Sequence, residues 1–331
     1  MKTKTMKTIR VIKPGGPEVL EMTDTVIPEP VAGQVLIKVT AAGLNRADIL
    51  QRKGLYPPPA GSSDILGMEV AGEILKVTEN CGGLKPGDSV CALLTGGGYA
   101  QYTVAEAPLC LPFPHGLDEI QAASLPEAMF TVWSNLMDIA GLKAGESVLI
   151  HGGSSGIGSA AIQFAKAMES RVFTTAGSDH KCEYCRSLGA DVVINYQSQD
   201  FVDIGLTETG GAGIDVILDM VGGDYLNRNI KLAAVGARIV MIAAIGGNRA
   251  ELQILPIMQK RLMLTGSILR SRELGFKTKI AGNLKARVWP LLENRTIRPS
   301  IDQVFPLDQV SQAHQLMESN QHCGKIILKM H

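Results

Sequence analysis

The 331-residue sequence predicts an α/β fold: a doubly wound parallel sheet inserted in a β-rich domain that both chain ends build. Three observations carry this. The first part of the chain holds short strand-like runs with no crossover helices between them. From Ser147 onward strands alternate with helices, the pattern that yields a parallel sheet. The last run, Gly324-Lys325-Ile326-Ile327-Leu328, is strand-like without a βα partner and is expected to return to the first domain.

In order, the early strands are Thr8–Ile12, Val35–Val39, Glu69–Ile74, Ser89–Leu93 and Tyr99–Val104, with turns at Pro14-Gly15-Gly16-Pro17 and Lys85-Pro86-Gly87-Asp88. This predicts a barrel-like domain, with one or two helical turns over Asn45–Gln51. Helices are predicted over Ile120–Ser124 and Glu127–Ala140, broken around Pro126. The alternating strands are Ser147–His151, Arg171–Thr175, Asp191–Asn195, Ile214–Met220, Arg238–Ala243 and Leu262–Gly266. Apolar runs such as Val216-Ile217-Leu218 fit strands covered on both faces, and right-handed crossovers predict the order 3-2-1-4-5-6. After Ser271 come a helix, the strand Val304–Leu307, another helix and the final strand. The domains are expected at residues 1–125 with 271–331, and at 126–270.

The formal net charge is zero, so the totals lack the basic footprint of a nucleic-acid binder. No apolar run reaches transmembrane length, and the basic start Met1–Lys7 leads into no apolar segment of a signal peptide. Six cysteines, Cys81, Cys91, Cys110, Cys182, Cys185 and Cys323, are scattered, which fits reduced thiols in the cytoplasm. Cys182 and Cys185 have CxxC spacing but no second ligand pair, and are read as two thiols on one helix.

The run His151-Gly152-Gly153-Ser154-Ser155-Gly156-Ile157-Gly158 links a strand to a helix. Backbone N–H groups and the positive helix end there make a phosphate cradle. Gly153 and Gly158 match the first and third glycines of a dinucleotide fingerprint, and Ser155 replaces the second.

Several stretches together are specific. They are Ala42–Asp48, Gly54-Leu55-Tyr56-Pro57-Pro58-Pro59, Gly67–Gly72, the glycine turn, Thr175–Ser178, Leu188–Asp191, Asp219–Gly223 and Gly324-Lys325-Ile326. On these the chain resembles, over essentially its whole length, the zinc-free quinone oxidoreductases of the medium-chain dehydrogenase/reductase superfamily, closest to the p53-inducible quinone oxidoreductase group. The resemblance implies a GroES-like catalytic domain from both chain ends, a Rossmann NADPH-binding domain between them and a cleft at their junction. It also implies a homodimer joined edge to edge by the last sheet strand, Arg261–Thr265.

Zinc-dependent relatives carry a Cys and a His where this sequence has Asn45 and Met68, poor ligands for zinc, so no metal is expected. Glu69 is read as structural. The resemblance assigns catalytic roles to Tyr56, Asn45 and Ser155. Tyr56 would donate to a carbonyl oxygen as charge develops. It assigns cofactor contacts to Asn45, Thr131, Gly153, Ser154, Ser155, Gly156 and Ile157. At the ribose end come Gly177, Ser178, Lys181 and Tyr196, where the lack of an acidic side chain at Gly177-Ser178 favours NADPH over NADH. Val221, Gly222, Ala243, Ala244, Ile245, Ser267, Ile268 and Leu269 would line the nicotinamide half, and Lys325 would close the cleft. Asp48 is given little catalytic weight. The implied activity is NADPH-dependent reduction of a quinone. An enone or alkenal reductase and a non-catalytic, crystallin-like NADPH-binding protein are the alternatives.

Overall fold

A computed structural model describes residues 4–330. The reading of the basic start at residues 1–3 and the last residue of the range 271–331 lie outside them. The chain divides into two compact units. The first comprises the chain up to Phe130, Arg270–Arg295 and everything from Pro299; the second comprises Thr131–Leu269 and Thr296–Arg298.

The first unit contains an antiparallel pair, Thr5–Val11 with Leu20–Val26, and a seven-stranded sheet. Along that sheet the order is Ile301–Pro306, Lys325–Lys329, Gln34–Leu44, Glu69–Val77, Ser89–Leu93 and Cys110–Pro112, with Tyr102–Glu106 also paired to Gln34–Leu44. Alternation sets the faces: Val35, Ile37 and Val39 point into a core with Val70, Ile74, Val90 and Ile326. The terminal strand does return here, with Leu328 opposite Ala42 and antiparallel to it. The strands Leu20–Val26 and Cys110–Pro112 were not among those predicted. The first carries alternating polar residues on an exposed pair, and the second is three residues long.

The second unit is a six-stranded parallel sheet. Its spatial order is Val192–Asn195, Arg171–Ala176, Ser147–Ile150, Ile214–Asp219, Ala233–Met241 and Met263–Gly266, the expected 3-2-1-4-5-6. Leu149, Phe173, Ile194, Ile217 and Ile239 form the centre of its core.

The predicted Glu127–Ala140 helix is corrected. An α-helix, Pro126–Val132, gives way to a π-helix, Trp133–Ile139. Pro126 opens the helix, where its missing N–H costs nothing. The wider turn is visible where Ala140 N–H donates to Asn135 O, while Asn135 Nδ2 donates 2.8 Å to Thr131 O. Among the described residues no helix is long and apolar enough to cross a membrane.

Candidate active site

The glycine turn of the second unit is built by close approaches. A side chain at Gly153 would meet Thr174 Oγ1 at 2.0 Å, and one at Gly158 would meet Gly152 O at 2.3 Å. Gly152 adopts φ +68°, which favours glycine. Ser155 lies at φ −73° in extended backbone, so no glycine is required there. Its hydroxyl caps the helix Gly156–Ala167, accepting from Gly158 N–H at 3.0 Å. The serine that breaks the fingerprint thus replaces a glycine with a helix cap. Ser154 is buried, and Gly156 and Ile157 form the first turn of the helix.

At the end of the neighbouring strand, Ser178 caps Asp179–Ser187 and accepts from Lys181 N–H at 3.3 Å. Gly177 leaves room for Tyr196, whose hydroxyl a side chain at 177 would meet at 2.4 Å. Asp179 Oδ1 accepts from Asn195 Nδ2 at 2.8 Å, which engages one oxygen of this carboxylate.

Asp219 organises the next loop. Its Oδ1 accepts from Val221 and Gly222 N–H at 2.7 and 3.0 Å, and its Oδ2 accepts from Asn229 Nδ2 at 3.0 Å. Gly222 bridges Gly247 just beyond Ala243-Ala244-Ile245. Ser267 Oγ donates to Asn135 Oδ1 at 2.7 Å. Thr131 and Leu269 are buried, whereas Ile245 and Ile268 are exposed. All these loops follow carboxyl ends of parallel strands, the side on which such sheets bind ligands.

In the first unit a buried network ties three strands together. Lys325 Nζ donates to Glu69 Oε1, Asn45 Oδ1 and Leu44 O at 2.5, 2.7 and 3.4 Å. Asn45 Nδ2 donates to Glu69 Oε1 at 2.8 Å, and Glu69 Oε2 accepts from Glu127 N–H at 2.8 Å. Lys325, expected to close the cleft, has three acceptors for its ammonium within the first unit. Asn45 accepts from Lys325 at Oδ1 and donates one amide N–H to Glu69, its other amide N–H lying at 3.5 Å from Gly43 O. Asp48 accepts from Asn45 N–H, Gly67 N–H and Tyr99 Oη at 2.8, 2.9 and 3.2 Å. Burial raises its carboxyl to about 6.

Zinc does not fit these residues. Asn45 and Met68 offer an amide and a thioether, and Glu69 already faces the Lys325 ammonium. Among the described residues no group of three or more His, Cys, Asp or Glu side chains is placed to hold a metal ion.

Tyr56 is partly buried, and burial raises its phenol further above the ordinary range, so it is a hydrogen-bond donor at neutral pH. The Arg270 guanidinium lies 5.4 Å from its ring centroid. Sequence reading missed Arg270 and Glu127. The available signals were an arginine directly after Leu269 and a glutamate at a helix start, where acidic residues are common for dipole reasons alone.

A GroES-like unit and a parallel-sheet Rossmann unit in one chain define the medium-chain dehydrogenase/reductase class. The Alcohol dehydrogenase GroES-like domain matches residues 31–115, and the Zinc-binding dehydrogenase domain matches residues 156–281. The quinone oxidoreductase of Rattus norvegicus is 35% identical over 330 residues, covering 98% of each chain. That of Homo sapiens is 34% identical over 330 residues, again with 98% of each chain covered. The CurK enoyl reductase has a TM-score of 0.87 at 26% identity, with 98% of this chain and 99% of that one covered. A mycobacterial protein complexed with NADPH has a TM-score of 0.88 at 27% identity, with 98% and 99% covered. The chain belongs to the quinone oxidoreductase family of the medium-chain dehydrogenase/reductase superfamily, and that membership implies a nicotinamide cofactor.

Proposed function

We propose that the protein is an NADPH-dependent quinone oxidoreductase that works without zinc, as a cytoplasmic homodimer. The observation that carries the reading is the Lys325–Glu69–Asn45 network. Where the resemblance puts the Cys and His ligands of a Lewis acid, this chain has Asn45 and Met68, and Asn45 is bonded to Lys325 and Glu69 instead. An unactivated alcohol or ketone then lacks a polarising partner. A quinone needs less help, because its ring and second oxygen spread the incoming charge.

Gly153, Ser154, Ser155, Gly156 and Ile157 would hold the pyrophosphate, and Gly177, Ser178, Lys181 and Tyr196 the ribose 2′-phosphate. Thr131, Val221, Gly222, Ala243, Ala244, Ile245, Ser267, Ile268 and Leu269 would shape the nicotinamide site. When bound, the nicotinamide supplies a hydride. Tyr56 donates to the acceptor oxygen, and Asn45 acts as a positioning residue through Glu69. The six cysteines are all buried, which fits a reducing compartment. The similarity to an enoyl reductase keeps a second reading, reduction of enones or alkenals, as the competitor.

The test is NADPH oxidation by purified protein with a small ortho-quinone and a 2-alkenal. Faster turnover of the quinone is expected, and faster turnover of the alkenal moves the assignment to the second reading. Tyr56→Phe should lower turnover by about tenfold or more without changing NADPH affinity, in line with the loss of one donor to developing charge. A phenylalanine variant as active as wild type, with Tyr56→Ala impaired, would reduce Tyr56 to a wall of the pocket.

A further inference from the structure

Two polar groups in the first unit are left without partners by the network just described. The Glu127 backbone N–H is anchored on Glu69 Oε2, but its carboxyl makes no hydrogen bond among the described residues. Arg270 is 7% exposed. Its Nε and Nη2 both donate to Thr95 O, at 2.8 and 2.5 Å, and its Nη1 is buried with no acceptor. A buried donor is normally paired, so Arg270 Nη1, with the unpaired and partly exposed Glu127 carboxyl close enough to act on it electrostatically, calls for an occupant. Tyr56 belongs to the same cluster: its ring lies under Arg270, and the Glu127 charge acts on its phenol. An occupant that satisfies all three must accept a hydrogen bond from Arg270 and Tyr56 and take a proton from a carboxylic acid. A carbonyl oxygen becoming an oxyanion does both.

We propose that Glu127 is the proton donor of the reduction and that Arg270, through Nη1, holds the acceptor oxygen that receives the proton. The proposal rests on the reading of the protein as a reductase of conjugated carbonyls. The hydride brings the acceptor two electrons and one hydrogen, leaving an oxygen anion. The Glu127 O–H bond then breaks, an O–H bond forms on that oxygen, and a carboxylate remains that water reprotonates across the partly exposed side of the residue. The quinone leaves as hydroquinone, or the enone as an enol that tautomerises.

The surroundings suit the role. Burial first, and the neighbouring Glu69 carboxylate second, raise the Glu127 carboxyl to about 8, with Asp48 acting in the same direction. Lys325 and Arg270 oppose the shift, and Lys277, whose Nζ lies 3.4 Å from Arg270 O, also feels the Glu127 charge. An acid with this value is protonated at neutral pH yet gives up its proton readily, whereas the Tyr56 phenol, raised by burial, is the poorer acid. Both facing cations stabilise the carboxylate once it forms.

Glu127→Gln keeps the shape and removes the acid. Its kcat should fall about 100-fold, the lower end for loss of a general acid, with NADPH affinity unchanged. Wild-type kcat should decline as pH rises through about 8, and the variant should lack that limb. Independently of turnover, infrared spectra of the unloaded wild-type protein should show a protonated-carboxyl band that disappears through the same midpoint and is missing from Glu127→Gln. A folded Glu127→Gln with wild-type kcat, or a wild-type spectrum without that titration, overturns the proposal. If Glu127→Gln does not fold, Glu127→Asp carries the test, with a loss of about tenfold or more expected from withdrawing the acid and an undiminished rate overturning it. A wild-type protein that reduces neither quinones nor alkenals would instead overturn the functional reading on which the proposal stands.

Discussion

His314 shows how far a single side chain is committed in this protein. It is fully buried, with Nδ1 3.1 Å from Arg52 Nη1 and Nε2 3.4 Å from Tyr99 Oη. Arg52 is itself buried and donates to Gly15 O and to Glu318, at 3.1 and 2.8 Å. Arginine has no acceptor, so His314 Nδ1 accepts from it and Nε2–H donates to Tyr99, whose hydroxyl donates to Asp48. The chain of donors has one direction, and it requires a neutral imidazole. Burial, then the Arg52 charge, depress His314 from 6.5 to about 3. Below pH 6.5 the unfolded chain therefore binds a proton that the folded chain refuses, and stability falls as pH falls toward 3. Asp48 acts in the opposite direction: its folded value of about 6 lies above 3.8, so protonation there favours the folded state over that window. Comparing variants isolates the histidine. His314→Gln keeps an acceptor for Arg52 and a donor for Tyr99 but cannot take up the proton. Between neutral pH and about pH 5, the wild type should lose about 2 kcal/mol more stability than the variant, since each pH unit in that window is worth about 1.4 kcal/mol. Urea unfolding at the two pH values measures it, and equal losses would remove His314 from the account.

The elements most legible in the sequence were those whose signals are local. The six parallel strands, their order and the glycine turn follow from runs of apolar residues and from glycines between a strand and a helix. Glu127, Arg270 and the internal bonds of the Lys325 ammonium were not legible, because each depends on residues brought together by the fold. Lys325 meets Asn45 and Glu69 only because the terminal strand pairs with Gln34–Leu44, and Arg270 reaches Thr95 from the far side of the inserted unit's sequence. The helix Asp179–Ser187 is an intermediate case. Its cap, Ser178, was visible, but the capture of Asp179 by Asn195 was not. That bond ties one oxygen of Asp179 to Asn195 and away from the space beside Gly177 and Tyr196 where a 2′-phosphate is expected. Lys181, in the first turn of this helix, would then supply the charge. A charge-assisted hydrogen bond is worth about 1.5–3 kcal/mol, or about 10–150-fold in affinity. Lys181→Ala should weaken NADPH binding by that factor and leave NADH nearly unaffected, as read by fluorescence titration. Equal losses for both nucleotides would deny the lysine a phosphate.

At the scale of the whole molecule, the second unit ends in an unfinished edge. Met263–Gly266 pairs on one side with Ala233–Met241 and, among the described residues, has no strand on the other. The helix Ile254–Lys260 leads into this strand, and no residue of it is buried although its sequence is largely apolar. Ile254, Leu255 and Met258 are 66%, 62% and 68% exposed, and Met263 on the edge strand is 50% exposed. Open hydrogen-bonding groups next to exposed apolar side chains invite pairing with another chain, and proteins usually cover or charge such edges. This edge carries neither a proline nor a charged residue between Met263 and Gly266. A second copy related by a two-fold axis would continue the sheet antiparallel across the edge and bury both helices at once. The homodimer is therefore expected to depend on this helix. Leu255→Lys with Met258→Lys places two charges on each protomer's contact face, where an unpaired buried charge costs about 3 kcal/mol or more, enough to weaken association at least 100-fold. Sedimentation velocity at micromolar concentration should find wild type at twice the chain mass and the double variant at the chain mass. NADPH binding, proposed at the carboxyl ends of the strands, should survive the change. A wild-type protein that sediments as a monomer, or a double variant that remains a dimer, would show that some other surface covers this edge or that none does.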